Sequence, residues 1–118
     1  MEVIQEFRSG AVRAIYWCDS QEEWIIHVHA KDREIVRLLC EAAEALVEAE
    51  KRSMGGMGYA YDTEDPWFYL VAKTPDSRNA WLAFIIGYLS RHRHLSRAQE
   101  LEAYITLNET AARRLLNS

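Results

Sequence analysis

The chain is poor in the residues that mark special architectures. Its 118 residues include only two cysteines, two prolines and five glycines, which excludes a disulfide scaffold and a low-complexity chain. Cys18 and Cys40 stand far apart in sequence with no second cysteine near either, so two reduced thiols are expected. No apolar run reaches membrane length. The longest, Ala80 to Leu89, is ten residues, about half of the ~20 that a span needs. The opening Met1-Glu2-Val3-Ile4-Gln5-Glu6 lacks the basic start of a secretory signal. Together these absences point to a cytoplasmic protein without membrane association.

Catalytic signatures are missing too. There is no Gly-x-Ser-x-Gly, no His-Glu-x-x-His and no cysteine in an electropositive helix-start setting. Gly55-Gly56-Met57-Gly58 resembles a phosphate loop only in composition. A phosphate loop needs a strand before the glycines and a helix with lysine after them, whereas here a helix precedes and a strand follows. The glycines therefore read as a helix terminator. His27 and His29 fall on one face of a strand, about 7 Å apart at their α-carbons, but spacing indicates no third ligand. His92 and His94 sit within Arg91-His92-Arg93-His94, whose positive charge disfavours a cation. No metal, no cofactor and no enzymatic activity are expected.

What is present describes a globular chain of one-domain size, 49% hydrophobic and 27% charged, with no internal repeat and no linker. Residues 1–118 are expected to form a single α+β domain. An antiparallel sheet, three strands plus a second hairpin, packs with helices in the order βββαββααα.

Residues 2–30 alternate as a three-strand meander, with a first turn at Ser9-Gly10. That register puts Ile4, Ile15, Trp17, Trp24, Ile26 and Val28 on the core face. Val3, Gln5, Phe7, Tyr16, Ile25, His27 and His29 take the other. Asp32 caps a helix over 32–52 whose apolar arc is wider than one sheet face requires. A hairpin covers 57–73, and residues 77–116 are helical. In that segment Trp81 to Leu89 is apolar all round, so the helix is either wrapped by other elements or lies in an interface.

The second hairpin carries the main functional signal. With Tyr61 opposite Trp67, residues Met57, Tyr59, Tyr61, Trp67, Tyr69 and Val71 share a face beside the acidic turn that contains Glu64 and Asp65. Large amphipathic aromatics of this kind suit protein interfaces. Surplus apolar surface here and on the Trp81 helix predicts a homodimer.

Net charge divides along the chain. Residues 1–72 hold seven Lys/Arg against fourteen Asp/Glu, and residues 73–118 hold seven against four. Nucleic-acid contact is therefore restricted to the C-terminal third. There, Ser96-Arg97-Ala98-Gln99 is a capping box. Leu101, Ile105, Leu107, Ala112 and Leu115 are spaced as buried positions around Thr106-Leu107-Asn108. This segment, 96–116, resembles the helix-turn-helix of bacterial regulators, departing from it at Glu102 and Thr106. The resemblance implies DNA contact through Asn108, Arg113 and Arg114.

The leading expectation is a non-enzymatic binding or regulatory protein acting by protein–protein contact, of the inhibitor, immunity or anti-defence type. A DNA-binding regulator is the alternative.

Overall fold

The computed structural model describes residues 2–20, 23–50, 57–60 and 67–107. Three strands open the chain: β1 (Glu2–Phe7), β2 (Val12–Ser20) and β3 (Glu23–Ala30). Helix α1 (Arg33–Glu50) follows, then β4 (Met57–Ala60) and β5 (Trp67–Ala72), then α2 (Pro75–Arg91) and α3 (Arg97–Leu107). The fold is α+β, as the alternation and helical periods predict. The last helix expected, from Asn108, lies outside the described residues.

All five strands join one antiparallel sheet in the order β1-β2-β3-β5-β4. Phe7, Val12, Ile15, Trp17, Ile26, Val28, Leu70 and Ala72 form one core with Ile35, Val36, Leu39 and Ala43 of α1. Trp81, Leu82, Ile85, Ile86 and Leu89 of α2 and Ala103 and Leu107 of α3 join it, together with Ala30 and Leu95. Among the described residues the helices thus pack on one sheet face, termed here the helix face.

The helix starts are set by local hydrogen bonds. Asp32 Oδ1 accepts from the Glu34 N–H at 2.9 Å, starting α1 where the acidic cap predicts. Thr74 caps α2 by accepting from the Ser77 N–H at 3.0 Å, with Pro75 in the first turn. The capping box at α3 is formed reciprocally. The Gln99 N–H donates to Ser96 Oγ at 3.1 Å, and the Ser96 N–H donates to Gln99 Oε1 at 2.9 Å. At Gly87, Tyr104 approaches closely enough for its hydroxyl to donate to the Ala83 carbonyl at 3.4 Å.

Two sequence expectations fail in the sheet, and both failures concern register. The first turn is closed by Ser9 and Val12, with the Ser9 N–H donating to the Val12 carbonyl at 3.0 Å. Pairing with β3 then slips between Val12 and Ala14, leaving Arg13 as an extra residue in β2. One inserted residue reverses the parity of the strand opposite. Phe7 therefore faces Ile15, and Gln5 faces Trp17, placing both on the helix face where Ile4 was expected. Phe7 is buried, and the Trp17 indole N–H donates to Gln5 Oε1 at 3.3 Å. A second slip between Val3 and Gln5 restores the original parity.

In the second hairpin Trp67 pairs with Ala60 and Tyr69 with Gly58, while Tyr59 pairs with Phe68. The register is therefore offset by one residue from the expected Tyr61–Trp67 pairing.

Helix α2 resolves the choice its sequence left open. Trp81, Leu82, Ile85, Ile86 and Leu89 are all sealed within the chain, so the first of the two expected roles is the one realised. Trp81 has no surface to offer a partner.

Candidate interaction face

Because strand side chains alternate, building the helix face also builds its reverse. Tyr16 on β2 stands opposite His27 on β3, which stands opposite Tyr69 on β5. His29 likewise stands between Ala14 and Trp67. Five rings from three adjacent strands thus converge on the face away from the helices. None of the five belongs to the core cluster, and each is half-buried.

The rings touch one another. Tyr16 and His27 are parallel, with centroids 4.8 Å apart and planes within 6°. Trp67 and Tyr69 stack at 5.6 Å. His27 lies 6.3 Å from Trp67, 6.2 Å from Tyr69 and 6.4 Å from His29. The Tyr16 hydroxyl and His29 Nε2 are in hydrogen-bond contact at 3.3 Å. His27 Nε2, by contrast, is buried and has no hydrogen-bond partner among the described residues.

Burial dominates the electrostatics here. It pushes the pKa of His27 below its ordinary 6.5, reinforced by His29. It does the same to His29, where Arg13 adds to the depression and Glu6 opposes it. It raises the Tyr16 phenol, with smaller contributions from Cys18 and Glu6. At neutral pH the centre of the face therefore presents two neutral imidazoles and the neutral Tyr16 phenol, with the Glu6–Arg8 ion pair at its β1 edge.

Trp67 and Tyr69 are on this face, while the backbone of Tyr59 pairs with Phe68. Tyr61, Glu64 and Asp65 lie outside the described residues, as do Asn108, Arg113 and Arg114. Of the apolar positions assigned to the interior of the helix-turn-helix, Leu107 is buried, but Leu101 and Ile105 are 46% and 51% exposed. Helix α3 turns Ala103 and Leu107 inward instead, because those are the positions facing α2 and β1.

Cys18 is in the row behind the rings, paired with Ile25, whereas Cys40 is on α1. The sheet separates them, and neither is in a disulfide. Among the described residues no three His, Cys, Asp or Glu side chains converge to hold a metal ion. No described helix is long and apolar enough to cross a membrane.

Alternation had already put Tyr16, His27 and His29 on the surface away from the core. Their union with Trp67 and Tyr69 required the β3–β5 pairing, for which no local signal exists. Comparison with protein-family models, curated proteins and solved structures found no significant match to this chain.

Proposed function

We propose that this chain is a non-enzymatic binding protein, of the inhibitor, immunity or anti-defence type, that docks a partner protein on the ring face of its sheet. The observation that carries the proposal is the continuous array of Tyr16, His27, His29, Trp67 and Tyr69 on the side of the sheet away from the helices. Such rings bury large area at low entropic cost and keep polar tips for hydrogen bonding, the chemistry of interface anchors. Of the two surfaces the sequence offers for self-association, the Trp81 helix is sealed inside, and we assign self-association to the ring face.

The test is affinity capture from cells of the source with the full chain, quantified by mass spectrometry against a Trp67→Ala/Tyr69→Ala variant of unchanged circular dichroism. A protein retained by the wild type and lost by the variant supports the proposal. Equal retention on both overturns it.

The alternative, a helix-turn-helix regulator using 96–116, draws support from the formed cap at Ser96 and from Arg91, Arg93 and Arg97, all exposed at the α2–α3 corner. It requires a gel shift at low salt that Arg113→Ala/Arg114→Ala abolishes.

A further inference from the structure

We propose that protonation of His27 opens the ring face, making it a proton-gated docking surface whose closed form is the neutral one. This rests on the docking role proposed above and adds its regulation. The inference starts from the His27 ring, which is enclosed by other rings and has a buried Nε2 without a hydrogen-bond partner among the described residues. A buried polar atom left unpaired is uncommon and calls for an explanation.

Neutral imidazole tolerates the position, because one ring nitrogen then carries no hydrogen. Imidazolium does not. Both nitrogens become donors, and burying an unpaired cation is far more unfavourable than burying a neutral ring.

The groups facing His27 offer ring faces but, among the described residues, no hydrogen-bond partner for Nε2. From β2 comes Tyr16, parallel to it, with Cys18 and Arg13 further along the strand. From β5 come the rings of Trp67 and Tyr69. On β3 itself His29 adds a second titrating imidazole 6.4 Å away. Glu6 on β1 is the carboxylate that reaches this cluster, and it acts on His29 and Tyr16. A proton on His27 is therefore accommodated by swinging its Nε2–H out to water. That motion breaks the parallel stack on Tyr16 and separates the ring from Trp67 and Tyr69. The docking surface is then no longer continuous.

The experiment needs no partner. The full chain is labelled with 5-fluorotryptophan, and the Trp67 line among the four tryptophans is identified with Trp67→Phe. The spectrum is followed from about pH 7.5 to about pH 5, with and without a soluble gadolinium chelate. The Trp67 line is expected to shift with a midpoint below 6.5, while the buried Trp17 and Trp81 lines stay fixed. Its broadening by gadolinium should grow as the open-to-closed ratio rises, about tenfold per pH unit.

In His27→Gln, which cannot take up the proton, the transition should vanish, and in His29→Gln it should persist. A Trp67 line that does not move, or that moves identically in His27→Gln, overturns the gate. If His27→Gln does not fold, the wild-type chelate series decides alone, and unchanged broadening overturns the proposal. Docking itself fails by a different result, equal partner capture by the Trp67→Ala/Tyr69→Ala variant, so the two failures are separable.

Discussion

The phenol of Tyr16 and the imidazole of His27 lie parallel, 4.8 Å apart, on neighbouring strands of the sheet surface that faces away from the helices. Each ring shields the other from water, and both titrations move accordingly: Tyr16 up and His27 down.

Stability should therefore fall on mild acidification. The unfolded chain binds a proton at each of His27 and His29 near the ordinary 6.5, while the folded chain binds it only at lower pH. Over the window from 6.5 down to the folded values the unfolded state holds more protons, so stability drops as pH falls. Above 6.5 these residues contribute no slope. Urea titrations across this range should show the decline, and a His27→Phe/His29→Phe protein should show a shallower one. An unchanged slope in that variant would assign the decline to other groups.

Trp67→Ala should weaken self-association by about 2 kcal/mol or more, roughly thirtyfold, the loss typical of a central interface aromatic. Sedimentation equilibrium measures it. A wild-type chain that stays monomeric at high micromolar concentration removes the homodimer.

Trp81→Ala should act on folding instead. Its indole is fully buried and meets Phe84 edge-on at 5.8 Å. Loss of such a side chain destabilises by about 3–5 kcal/mol. The urea midpoint should fall sharply.

Gly87→Ala should stabilise the chain. A methyl group there meets only the Tyr104 hydroxyl at 3.7 Å, an ordinary contact. Alanine is also favoured over glycine within a helix by about 0.8–1 kcal/mol. A lower melting temperature would show that the α2–α3 packing is tighter than this contact implies.

Cys40 should resist thiol reagents in the folded protein at mildly alkaline pH. Burial pushes its pKa up to about 11, with Glu44 and Glu41 adding to the shift. Unfolding without reductant should release two reactive thiols per chain, since neither cysteine is in a disulfide. Recovery of none would contradict that state.

Much of the architecture was legible because it is written in short-range periods. The two-residue alternation of Ala14 to Cys18 and Trp24 to Ala30 assigns both strands and their faces, since each side chain needs only its neighbours to declare a side. Asp32 and Ser96 announce their helices through hydrogen bonds that close within three residues. The caps expected at Asp32 and Ser96 are therefore formed, while the glycine terminator expected at Gly55-Gly56 and the cap expected at Asn108 lie outside the described residues.

Register is of another kind, because a single inserted residue changes it and the insertion leaves no compositional trace. Arg13 reads as an ordinary strand residue, yet as a bulge it turns Phe7 and Gln5 toward the helices. The second hairpin likewise closes with Ala60, not Tyr61, opposite Trp67. Across β3 and β5, residues about forty apart in sequence come into register, and only that closure brings His27 beside Trp67 and Tyr69. The identity of the rings was local information. Their assembly into one face was decided by non-local strand pairing, where burial of Leu70, Ile26 and Ile15 against the helices selects the register and the reverse face follows from it.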